Sequence, residues 1–283
     1  MAASVIIAGM SAEGPAPIRT VRSWAPRLAL ILLAVTVLLI WLVYTPHGLL
    51  GKADAVGYAV CHRIDLRSFH LGERTLPLCS RCTGMYLGST LAFAYLLARG
   101  RGLAGQFPPR RVLAVLGVFA AAFVIDGSNS YLSFFPGAPH LYAPGNTLRL
   151  LTGTALGLGI GVLVAPGFNQ AVWTKVDPRR SLTSWADLGL LIVAALGIDL
   201  LVLTENPLVL YPLALVSSLG VVLLLTIVYS MLALLLSGRE NQIAQPRQLV
   251  IPALAGFVLA VLQIGALDVL RYILTGTWSG FAL

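Results

Sequence analysis

All three cysteines of the chain lie between positions 61 and 82, where a Cys61-His62 pair precedes a Cys79-x-x-Cys82 pair. Zinc sites are commonly built from a CxxC pair plus a second pair returned by an intervening loop. The spacing therefore points to a metal site of the zinc kind, with Cys61, His62, Cys79 and Cys82 as its ligand set. Adjacent residues make awkward co-ligands because their side chains diverge, and His70 is the alternative imidazole. A second chemistry is thiol–disulfide exchange. The CxxC stands where a helix begins, and a helix N-terminus lowers a thiol's pKa, as Arg74 and Arg81 would too. A third is a plain disulfide tying a loop to a helix in an oxidising compartment. Covalent haem attachment is excluded, because Thr83 and not a histidine follows the CxxC.

Charged residues inside apolar stretches are costly and mark pairs or functional sites. Asp126 closes one such stretch, Asn146 and Arg149 open the next, and Asp268 and Arg271 stand three apart in the last, as helix neighbours do. With Arg63 and Arg81 from the cysteine segment, these residues are candidates for one outward-facing polar pocket. As structural ion pairs they would couple Asp126 with Arg149 and Asp268 with Arg271.

These groups must be positioned by membrane helices. Only 11% of the 283 residues are charged and 58% are hydrophobic, against roughly 25% charged in soluble domains. A span needs about 20 mostly apolar residues, and about seven stretches qualify: 24–44, 78–98, 112–135, 147–166, 186–203, 208–236 and 249–275. The expected fold is an all-α polytopic transmembrane helix bundle. It forms a single membrane domain over 24–283, preceded by a disordered cytoplasmic tail, 1–23. The first apolar run is long enough to stay as a helix instead of being cleaved as a signal peptide. Residues 49–60 show helical spacing of apolar positions and read as a short interfacial helix. Gly84 and Gly88, with Gly153, Gly157 and Gly161, form small-residue stripes that let two spans pack closely.

Lysine and arginine accumulate in cytoplasmic loops. With the N-terminus cytoplasmic, the inner segments hold Arg19, Arg22, Arg27, Arg99, Arg101, Arg110, Arg111, Lys175, Arg179, Arg180, Arg239 and Arg247. The outer ones hold only Lys52, Arg63, Arg67, Arg74 and Arg81. The C-terminus is then extracytoplasmic, and the cysteines and the polar pocket share the outer face of a multi-pass cell-membrane protein.

The net charge of +8 is dispersed over short loops, so it implies contact with the lipid bilayer and not with nucleic acid. A retinal protein is excluded, since the two lysines, Lys52 and Lys175, lie in loops. No phosphate-binding glycine loop, nucleophile elbow or zinc-protease helix occurs. Three functions stay open: a metal site of the zinc kind beside a polar pocket; a membrane thiol–disulfide oxidoreductase; and a small-molecule or lipid transporter.

Cys61-His62-Arg63, Arg67-Ser68-Phe69, Gly72 and the run from Pro77 through Tyr86 carry a resemblance. The segment resembles a family of predicted prokaryotic membrane proteins classed as a domain of unknown function. Its signature is a CHR-type pair followed by P-x-C-x-R-C-T-G-x-Y. Asp126-Gly127 and the segment containing Asn146, Arg149, Thr152 and Gly153 extend the likeness, which covers about 55–165. It implies that Cys61, His62, Cys79, Cys82, Asp126, Asn146 and Arg149 form one site, and it implies no activity.

Overall fold

The computed structural model describes residues 25–135 and 137–280; the expected N-terminal tail lies outside them. Eight α-helices are present among these residues, with four short strands in the connections. They are α1 (Ala25–Tyr44), α2 (Gly48–Val60), α3 (Ser80–Ala98), α4 (Arg110–Leu132), α5 (Asn146–Val172), α6 (Trp185–Leu203), α7 (Pro207–Leu236) and α8 (Pro246–Thr275). The all-α bundle read from the sequence is the fold.

Six of these helices are long and apolar enough to cross a membrane; α3 is not among them. It carries Ser80, Arg81, Cys82, Thr83, Ser89 and Thr90, and it lies among α5, α6 and α7. A helix sheathed by protein does not need the apolar surface that lipid demands. Its direction still fits a traverse. Gly84 meets Leu150 and Gly161 meets Ala92, so α3 and α5 run parallel, while α4 returns between them. α3, α4 and α5 thus alternate in direction.

The glycine stripes do what their spacing predicted. A Cβ on Gly153 would overlap the Arg81 carbonyl oxygen, and one on Gly84 the Leu150 carbonyl oxygen. The two backbones therefore touch along most of α3, which fixes the cysteine-bearing start of α3 against the arginine-bearing start of α5.

The segment ahead of α3 is fixed by a second close approach. Residues 48–60 are helical as expected. However, Gly51, Ala53, Val56 and Gly57 are buried, and the helix packs on α7 and α8. Gly57 sits directly under the Pro77 carbonyl, where any Cβ would collide. This brings the end of α2 beside the residues that lead into α3. Between them the chain makes a 3₁₀ turn, Asp65–Arg67, and a small hairpin pairing His70–Leu71 with Arg74–Thr75.

The opposite end of the bundle holds its own polar anchor. Strand Ala104–Gln106 pairs in parallel with Asp177–Arg180. Asp187, at the start of α6, accepts from Arg101 at 2.8 Å and from Thr183 Oγ1 at 2.8 Å. α5 also runs further than the apolar stretch 147–166, to Val172 through Pro166.

Candidate metal centre

Cys61 follows the last turn of α2, and its amide donates to the Gly57 carbonyl at 2.8 Å. Cys79 is the N-cap of α3 and Cys82 lies in its first turn. The α2–α3 junction thus delivers three thiols to one point. Their sulfurs lie within 4.8 Å of one another, and all three cysteines are free. The Cys79 amide also donates to the Cys61 sulfur at 3.3 Å. Cys61 and Cys79 are buried against Val56, Leu78, Val221 and Ile264, with Tyr86 and Trp41 packed beside them. An apolar shell of this kind limits water access and strengthens charge interactions within.

Cys61 is the thiol whose pKa is lowered. Hydrogen bonds from the Cys79 and Cys82 thiols, in that order, hold its pKa well below the ordinary thiol range despite its burial. A thiolate is the form that binds metal or attacks disulfides.

His62 does not join the sulfurs. Its Nδ1 accepts from the Ile64 amide at 3.0 Å, and among the described residues the group of donor atoms that could share an ion is Cys61, Cys79 and Cys82. The divergence of adjacent side chains accounts for this. Burial, and then nearby Arg67, Arg81 and Arg149, push the His62 pKa down, against the pull of Cys61. His70 lies in the hairpin, where its Nε2 meets Asp65 of the 3₁₀ turn at 3.0 Å.

Beside the sulfurs stands a polar network that joins α3, α4 and α5. Arg81 forms an ion pair with Asp126, which is 1% exposed. Arg81 also donates to Ser130 Oγ at 3.0 Å. Asp126 accepts from Tyr142 Oη at 3.0 Å and from Thr152 Oγ1 at 3.4 Å. The expected partner, Arg149, instead donates to Asn146 Oδ1 at 2.8 Å and Ser130 Oγ at 3.4 Å. Arg81 displaces it because Arg81 belongs to the first turn of α3 and not to the loop, so it reaches across to α4. Arg67, buried in the 3₁₀ turn, donates to the Ser130 carbonyl at 2.6 Å and lies over the Phe134 ring. Burial, followed by repulsion from Arg149 and Arg81, brings its pKa down to about 10. Three guanidiniums thus gather round one carboxylate beside the thiols.

The remaining predicted pocket residues lie elsewhere. Arg63 takes a left-handed backbone, φ 52°, and pairs with Asp54 at 2.8 Å; Arg74 pairs with the same carboxylate. Asp268 accepts from Trp41 Nε1 at 3.2 Å. Arg271 donates to the carbonyls of Tyr58 at 2.7 Å, Cys61 at 2.6 Å and His62 at 3.1 Å, so it braces the backbone of the cysteine turn. Its guanidinium also lies over the Tyr58 ring. The single pocket read from the sequence is therefore three clusters. Ser130, Tyr142, Trp41 and Asp54 were not among the sequence candidates; the first three are neutral and Asp54 lies on the short helix α2, so none is a charge within a span.

Residues 61–163, which include the three cysteines and the whole Arg81–Asp126–Arg149 network, match the family described as predicted membrane protein (DUF2085). An uncharacterized protein of Methanothermobacter thermautotrophicus is 32% identical over 104 residues, covering 37% of this chain and 83% of that protein. No solved structure matches the chain. With six apolar helices and this stretch shared over most of a relative's length, the chain belongs to the DUF2085 family of predicted membrane proteins.

Proposed function

We propose that the protein is a multi-pass cell-membrane protein that holds a metal ion of the zinc class on Cys61, Cys79 and Cys82 at its extracytoplasmic face. The observation that carries this reading is the mutual approach of the three sulfurs within 4.8 Å. Sulfurs about 3.8 Å apart surround a tetrahedral zinc with ~2.3 Å bonds, inside that limit. A disulfide would instead draw one pair to about 2.05 Å and leave the third thiol over. Three thiolates fill three positions of a tetrahedron and leave one for water or an incoming ligand. Bound there, the ion would supply a Lewis acid or a structural pin.

The chain's own residues suit such a load. Three thiolates and a divalent ion carry a net negative charge, and the neighbouring arginines exceed their carboxylate by two, from Arg67, Arg81 and Arg149 against Asp126. The Cys79 amide already points at one sulfur, as outer-shell donors to metal ligands do. Arg271 holds the Cys61 and His62 carbonyls, which keeps that turn from relaxing away from α3.

Metal analysis tests the reading. Full-chain protein purified in detergent after growth with zinc is expected to carry about one ion per chain. Each of Cys61→Ser, Cys79→Ser and Cys82→Ser is expected to lower that severalfold. Wild-type protein without stoichiometric metal, its three thiols all reacting with an alkylating agent, would contradict it. So would serine variants that keep their metal.

A further inference from the structure

α1 and α8 line a cavity of about 930 Å³. Its walls are almost wholly apolar, including Val37, Ile40, Val261 and Val269, with Trp41, Tyr44, Tyr272 and Trp278 towards one end. One carboxylate lines it, that of Asp268, which is 2% exposed. Trp41 Nε1 occupies Oδ2. Among the described residues Oδ1 has no hydrogen-bond partner at all. Ionisable groups within membrane spans are functional sites or members of pairs, and a buried acceptor left unmade is expensive. Arg271, one turn along, donates to the carbonyls of Tyr58, Cys61 and His62 on the α2 side, and its charge also acts on Asp268.

We propose that this cleft is a binding site for an amphiphilic amine, a ligand with an N–H-bearing cationic head and an apolar body. The head would donate to Asp268 Oδ1, a charge-assisted hydrogen bond of the stronger kind. The aromatic rings at that end offer faces to a cation. The body would lie along the apolar walls. Ile40, Val269 and Ile273 on the rim are largely exposed, so the ligand enters sideways from the bilayer. Charge complementarity decides the class: a carboxylic acid or a phosphate would meet a like charge, and an alcohol would bring a donor without the charge.

The test uses full-chain protein in phosphatidylcholine nanodiscs, titrated with 12-bromododecylamine, whose bromine quenches nearby tryptophans such as Trp41 and Trp278. A saturable quench is expected for the wild type. Asp268→Asn is expected to shift its midpoint at least 10-fold upward, and 12-bromododecanol to quench without saturation. An unchanged midpoint in Asp268→Asn, or an alcohol as effective as the amine, would overturn the proposal. Gly265→Leu keeps the carboxylate and covers the case of a poorly folded Asn variant. A Cβ there meets only Trp41 Cδ1, at 3.8 Å, and the longer side chain enters the cleft. Loss of the saturable quench in this variant supports the site, and its persistence refutes it.

Discussion

Replacing Asp126 by alanine is expected to cost about 3–5 kcal/mol of folding stability, the range for removing one partner of a buried pair. The cost has a local cause. Asp126 receives Arg81, Tyr142 and Thr152, and it is the carboxylate that faces Arg67, Arg81 and Arg149. Its removal strands several donors and leaves three cations close together, with repulsion already present among them. Arg81→Met in the same background is expected to recover part of the loss, because it removes the charge that Asp126 offsets. Thermal unfolding of the purified protein in detergent measures both. A single-variant loss below about 1 kcal/mol, typical of an exposed pair, would show that the network is not the buried tie described above.

Gly153→Val is expected to cost about 1–3 kcal/mol or more. Its Cβ would overlap the Arg81 carbonyl, and backbone cannot swing aside as a side chain can. The helices would separate at the very turn that carries Cys79, Arg81 and Cys82, so metal content should fall along with stability. Gly189→Ala is the matched control. A Cβ at Gly189 on α6 meets nothing within 4 Å, and alanine is favoured over glycine in a helix by up to about 1 kcal/mol. Opposite signs at the two positions would separate close packing from helix propensity. Equal effects would remove the case for backbone contact between α3 and α5.

The elements that were legible in the sequence are those with a local cause. Long apolar runs mark α1 and α4 to α8, and the glycines at four-residue spacing mark the α3–α5 contact. The cysteines were legible as a group because all three fall between positions 61 and 82 with ligand-like spacing; the contact of Gly57 with Pro77 that closes the loop was not. What could not be read was the side-chain pairing. Arg149 stands near Asp126 in sequence, but the rotation of α5 turns it towards Asn146 and Ser130, while Arg81 comes from an earlier helix. His62 is next to Cys61 in sequence and therefore points away from it. Asp268 and Arg271 share a helix, yet one meets α1 and the other the backbone of α2 and the cysteine turn. Such choices depend on helix rotation and tilt, which are set by packing between helices. The polar α3 shows the converse: its composition alone falls short of a span because its neighbours, not lipid, surround it.

X-ray absorption at the metal edge of zinc-loaded, full-chain protein tests the three-sulfur centre most directly. A first shell of about three sulfur atoms at ~2.3 Å, reduced by one in Cys82→Ser, is the predicted result. A shell made only of nitrogen and oxygen, or one unchanged in Cys82→Ser, would contradict it.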